Sequence, residues 1–191
     1  VDFEGDTRFD GATFERIADF DEARFDHDAS FTGTQFRRLA EFRGVRFDGG
    51  SRTASDDVTF ENAVFEDEAD FKLATFRFAD FKRAECRGEL NFDRAVFRAR
   101  ADCHDLAVAG VTNLERTTFE EPVVFDGSTF GGRVVAQEAT FEGDADFVDA
   151  RFTRRATFDE ARFRADVDFD VIFGRDIRNI HSTLHFAGIT I

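Results

Sequence analysis

Tryptophan, tyrosine and methionine are missing from the chain, proline occurs once, at Pro122, and lysine twice, at Lys72 and Lys82. The aromatic share is therefore all phenylalanine, 28 residues of it. A core with one kind of large side chain suits an architecture that repeats one interior site, each buried ring contributing roughly 1.5–3 kcal/mol. Apolar runs of the length a membrane span needs are also missing, as is a signal-peptide pattern, so a cytoplasmic protein is expected. The chain begins with Val1, which leaves an upstream segment open. Positive charge is scarce: 25 Lys and Arg stand against 40 Asp and Glu, a net charge of −15. That balance argues against direct binding to nucleic acid or to an anionic membrane. Two explanations fit it. One is the acidic, lysine-poor surface of proteins from salt-loving organisms, which is favoured; the other is a functional anionic surface that mimics nucleic acid or draws a basic partner.

In place of the missing residue types stands a ladder. Phenylalanine returns at Phe3, Phe9, Phe14, Phe20, Phe25, Phe31, Phe36, Phe42 and Phe47, in steps that alternate between six and five residues. Two residues before nearly every one is a small residue: Thr7, Ala12, Ala18, Ala23, Ala29, Thr34, Ala40, Val45. An eleven-residue period suggests first a right-handed coiled coil, but at roughly 98° per residue these positions scatter around a helix instead of forming a stripe. A strand fits better, because alternate residues share a face. The residues between, among them Arg8, Asp19, Arg24, Ser30, Gln35 and Glu41, are polar. Each unit is thus a very short strand with Phe and a small residue inward. Gly5, Gly11, Gly33 and Gly44, two residues after a Phe, mark the corners. A chain that turns every five or six residues with its apolar side inward winds into a solenoid.

Small–polar–Phe units such as Ala18-Asp19-Phe20, Ala69-Asp70-Phe71, Ala79-Asp80-Phe81 and Ala145-Asp146-Phe147 resemble those of pentapeptide-repeat proteins. The alternation of five and six departs from that family's strict five and is similar to its Phe-centred subgroup. The resemblance spans about residues 1 to 173. It implies an all-β fold, a right-handed, four-sided parallel β-helix of about seven to eight coils and roughly 36 Å length. The four sides come from the resemblance and not from the spacing.

In chain order, Asp48 to Val58 (DGGSRTASDDV) makes the step from Phe47 to Phe60 thirteen residues where six would do. This polar insertion is expected to bulge as a surface loop without disturbing the coils. An ordinary exposed insertion is favoured over a binding element, for which Arg52, Asp56 and Asp57 are the candidates. The ladder then resumes, and the five-residue step from Phe76 to Phe81, where six was due, predicts an irregular corner near Phe78. Residues 103 to 114 are degenerate, with Val108 and Leu114 in Phe positions, and Ala136 replaces another. Past Phe173 the pattern stops. In Gly174 to Ile191 the spacing of Ile177, Ile180 and Leu184 predicts a short helix from about Asp176 to His185 that covers the last coil. Leu184, Phe186, Ile189 and Ile191 exceed what a cap needs, and the resemblance implies a homodimer through this end.

Catalytic and metal-binding patterns do not emerge. Cys103-His104-Asp105 has the residue types of a nucleophile, base and orienter, but neighbours on a strand face opposite ways, and Cys103 stands in a Phe position. Cys86 does too, three units away on another side, so both are read as small core hydrophobes without a disulfide. His181 and His185 are four apart without a third ligand. No enzyme activity and no cofactor are expected.

The acids, however, are ordered. Four units on, the chain returns to the same side, which stacks Asp19, Glu41, Asp70, Asn91 and Asn113 on one side. The opposite side stacks Asp80, Asp102, Asp146 and Asp168, interrupted by Val124. The favoured function is a non-enzymatic rigid scaffold or protein-interaction module with a salt-adapted surface. The alternative, implied by the resemblance, is a DNA mimic whose acid ladders occupy a type II topoisomerase such as DNA gyrase. Against it stand the outward Val64, Val96, Val124 and Val135, which interrupt the acid surface. A third reading is the soluble appendage of a longer, membrane-attached protein.

Overall fold

A computed structural model describes residues 1–49 and 57–173 and the strand at 184–185. Thirty-two strands of two residues each, from Asp2–Phe3 to Leu184–His185, form four parallel sheets of eight. Each strand pairs with the strand four later, so the four sheets are the sides of a prism, here called faces A to D in chain order. Phe25, Phe47 and Phe76 lie in register on face A, as the ladder requires.

The alternation of six and five is an alternation of corners. On faces A and C the strand contains the Phe itself, as in Arg24–Phe25; on faces B and D it contains the two residues before it, as in Ala29–Ser30. After faces B and D the chain makes a tight turn whose third residue is left-handed. In the first such turn Ala12 N–H donates to Phe9 O at 2.9 Å, with Gly11 at φ 64°. Gly33 and Gly44 serve the same purpose, whereas Gly5 lies in the other kind of corner and is not left-handed. Ten non-glycine residues also accept this conformation, including the half-exposed Leu73 (φ 60°). A side chain there costs about 1–2 kcal/mol, so the stacking on either side of the turn must hold it.

That stacking is aromatic. On face A eight rings, from Phe3 to Phe163, stack without a gap at centroid distances of 4.4–5.4 Å. Rings of faces B and D interlock edge-to-face across the axis: Phe31, Phe42, Phe60, Phe71, Phe81 and Phe92 follow one another at 5.2–5.5 Å. Both arrangements suit the aromatic quadrupole. The stack on face B is broken by Cys103, on face C by Cys86 and Val108, and on face D by Leu114 and Ala136. Carbonyls satisfy two of the small polar residues inside: Thr34 Oγ1 donates to Phe9 O at 2.7 Å, and Ser128 Oγ to Cys103 O at 2.6 Å.

The insertion leaves the coils in register. Val58 pairs with Ala29 on one side and Ala79 on the other; residues 50–56 lie outside the described part. The short corner at Phe78 has two residues between strands where the coil before the insertion has three. Asp57 supports it from within. Its carboxylate accepts from Phe78 N–H at 3.1 Å and pairs with Arg77 Nε at 2.9 Å. Gly49 must be glycine, since a Cβ there would come within 2.1 Å of that carboxylate.

One expectation is corrected. Leu184–His185 is a strand that continues face D beside Ala156–Thr157, so no helix runs through to His185. In the solenoid the face-D ladder of hydrogen bonds outweighs the local helical spacing. The rest of the predicted cap, 176–183, lies outside the described residues. Among the described residues there is no helix, hence none long and apolar enough to cross a membrane.

Candidate interaction surfaces

The two acid ladders occupy opposite sides. Asp19, Glu41, Asp70, Asn91 and Asn113 are in register on face D; Asp80, Asp102, Val124, Asp146 and Asp168 are in register on face B. Their carboxylates have a local task. Oδ1 of Asp19, Asp70, Asp80, Asp102, Asp146 and Asp168 accepts the backbone N–H two residues on, at 2.8–3.2 Å. Asn91 and Asn113 do the same at 3.0 Å. This Asx interaction opens the corners that follow these residues. It explains why Asp and Asn collect on faces B and D, the two followed by that corner, and not on A and C.

Many ladder acids also have a cation. Arg43 reaches Asp21 at 2.7 Å, Glu41 at 2.6 Å and Asp70 at 3.8 Å, and the hydrogen bond to Asp21 raises its pKa above the ordinary guanidinium value. Lys82 sits between Asp80 and Asp102 at 3.5 and 3.3 Å, and Lys72 pairs with Asp93 at 2.8 Å. Both lysines of the chain are thus placed against acids. Glu68, at the approach to face D, has its pKa raised by burial first and by Asp70, Glu89 and Asp67 next.

The remaining candidates fall as follows. Asp57 is fully buried and presents nothing outward; Arg52 and Asp56 lie outside the described residues. Of the tail positions Leu184 is placed in a strand by its backbone, and Phe186, Ile189 and Ile191 lie outside the described residues. Val64, Val96, Val124 and Val135 lie at outward positions of faces C, A, B and D. Cys103 faces inward, 1% exposed, with burial holding its thiol far above the ordinary range. His104 lies on the outside, 3.2 Å from carboxylates of both Asp105 and Asp126, so thiol and imidazole are on opposite sides of the wall. Cys86 is buried on face C, its thiol pushed up to about 12 mainly by desolvation. Among the described residues no three His, Cys, Asp or Glu are grouped to hold a metal.

One surface was not legible in the ladder. Three shallow depressions of about 280, 450 and 320 Å³ run from face C round its corner to face D, sharing Ala109 and Arg133. Their floor is made of small residues (Ala107, Ala109, Gly131, Gly132), and their cations are arginines. The signal for it lies 22 residues apart along the chain, one coil on, and it shows only once the coils are wound.

The family model for pentapeptide repeats (nine copies) matches residues 1–35, 9–54, 107–149 and 125–171, together more than half of the chain. The comparison with curated proteins gives no match. Among solved structures, the chain is similar to trypsin-treated QnrB1, a plasmid-mediated fluoroquinolone resistance protein. There the identity is 21%, the match covers 97% of this chain and 86% of that one, and the TM-score is 0.37. It is also similar to HetL, a pentapeptide repeat protein involved in heterocyst differentiation regulation from the cyanobacterium Nostoc sp. strain PCC 7120. That match has 16% identity, 90% and 82% coverage and a TM-score of 0.29.

Proposed function

The chain belongs to the pentapeptide-repeat family, and from that premise we propose that it is a non-enzymatic scaffold presenting rows of side chains to a protein partner. The observation that carries this reading is the use of the ladder acids. Their carboxylates are held by backbone amides two residues on and, in the middle coils, by Arg43 and Lys82. An acid engaged in its own corner and matched by a cation shapes a surface more than it projects a field. The excess charge outside these pairs fits a protein kept soluble in high salt.

A second reading, the DNA mimic that occupies DNA gyrase, is favoured by the ends of the ladders. Asp19, Asp146 and Asp168 have no ion-pair partner among the described residues, and Asp146 and Asp168 stand in register on face B. The test is gyrase supercoiling with added protein at rising salt. Inhibition that fades with salt and is reduced in the Asp146→Asn/Asp168→Asn variant supports the mimic. Supercoiling that continues unchanged at low salt, with protein in excess over gyrase, removes it and leaves the scaffold.

A further inference from the structure

We infer that the trough from face C to face D in the fifth to seventh coils docks a short acidic segment of a partner protein. This rests on the reading of the molecule as a scaffold and supplies the site and the partner's chemistry.

The first observation is where the charge falls. Residues 107–113, 129–135 and 151–157 are brought side by side by strand pairing. These three segments contain Arg133, Arg151, Arg154 and Arg155 and no Asp or Glu, in a chain of net charge −15. All four arginines are exposed, and none has an ion-pair partner among the described residues. Several arginines elsewhere span one coil to a carboxylate, as Arg43 to Asp21, Arg83 to Glu61, Arg116 to Glu138 and Arg164 to Glu142. Arg8, Arg16, Arg38, Arg98 and Arg162 also have no ion-pair partner among the described residues, but only here do four such arginines fall on adjacent coils in segments without an acid. Carboxylates line the trough only at its outer rims, Glu85 beside Arg87 and Asp159 beyond Thr157.

The second observation is the shape. Val108 replaces phenylalanine inside this stretch of face C, and the outward residues beside it, Ala107 and Ala109, are small. At the corner Gly110 and Gly132 leave the backbone bare. A Cβ on Gly110 would come 2.1 Å from Gly88 O, and one on Gly132 1.9 Å from Gly110 O. The result is a low floor along which an extended chain can lie, with planar, bidentate donors standing beside it.

Size and field decide the class of partner. Three coils span only about 10 Å from first to last, which an extended peptide covers in three or four residues at roughly 3.3 Å each. Duplex DNA, with a charge about every 1.7 Å, would run on past the trough. It would then meet the acids of the neighbouring coils, and the negative field of the whole chain would repel it. A brief run of Asp or Glu in an otherwise neutral or basic protein meets the arginines and escapes the rest.

The test is fluorescence anisotropy of a labelled peptide, four glutamates flanked by Gly-Ser, titrated with the intact chain at about 50 and 300 mM NaCl. Two variants are compared, Arg133→Glu/Arg155→Glu in the trough and Arg98→Glu/Arg162→Glu on face A, with a thermal melt to show that each folds. The expected result is saturable binding that weakens with salt, loses at least roughly tenfold in the trough variant and changes less than about twofold in the face-A variant. No binding at the lower salt overturns the proposal, and so does equal loss in both variants. A 20-base-pair duplex that binds more tightly through the same arginines overturns the choice of a peptide. Any of these failures leaves the scaffold reading intact, because that reading is tested separately by the supercoiling assay.

Discussion

Asp146 shows how one residue type serves two ends at once. Its Oδ1 accepts Val148 N–H at 2.9 Å, and an asparagine carbonyl would do the same without the charge. Asp146→Asn should therefore leave the urea midpoint nearly unchanged, whereas Asp146→Ala should lower stability by about 1 kcal/mol by abandoning that amide. Equal loss in both variants would mean that charge, not capping, keeps the acid in place. The cysteines make a second residue-scale prediction. Burial raises the Cys86 thiol from 9.0 to about 12 and Cys103 in the same direction. The sign follows: the unfolded thiol ionises first, so their stabilising contribution is complete below pH 9 and is lost as pH rises from there toward 12. At pH 10 the loss from Cys86 should be about 1 kcal/mol relative to pH 8, with Cys103 adding to it in the same direction. The chain has no tyrosine and only two lysines to obscure it. Urea unfolding at both pH values, repeated on Cys86→Val/Cys103→Val, checks this; a slope that survives the double substitution would refute it.

At the scale of the strand and corner, the wall is tightest where glycines stack. Gly88, Gly110 and Gly132 follow one another at the corner between faces C and D, and Gly110 N–H donates to Gly88 O at 3.1 Å. Gly110→Ala forces a methyl against a backbone oxygen that cannot rotate away, and should cost about 2–3 kcal/mol, measured as a shift of the thermal midpoint. Much of this scale was legible beforehand. The steps of six and five put Phe25, Phe47 and Phe76 on one face, and the same count gave the rows of Asp80 with Asp102 and Asp146 with Asp168. The five-residue step at Phe76 marked the corner that Asp57 supports. What was not legible depends on corner conformation or on distance across coils. The Asx bonds need the left-handed turn, Asp57 turns inward from a stretch that reads as a surface loop, and the arginine trough gathers residues 22 apart. Ile177, Ile180 and Leu184 misled because local spacing in a tail says nothing of the sheet edge beside it, which takes Leu184–His185 as a strand.

For the whole molecule the net charge of −15 is a repulsion spread along a narrow rod. Added KCl should raise the thermal midpoint steadily over the range in which the Debye length falls from about 10 Å to about 3 Å. A midpoint that is flat or falls with salt would speak against a surface adapted to it.

The phenylalanine column of face A runs the full height unbroken, while the other three columns are interrupted in the fourth to sixth coils. Such a molecule is built like a bound book, continuous along its spine and weakest midway along the fore-edge. Deuterium should enter there first, at the amides of Ala109, Val111 and Leu114, and last at Arg98 and Glu120 beside the spine. Under load, the rod would bend by gaping on the side that holds the arginines, a motion that lets a seated segment widen or close its own berth.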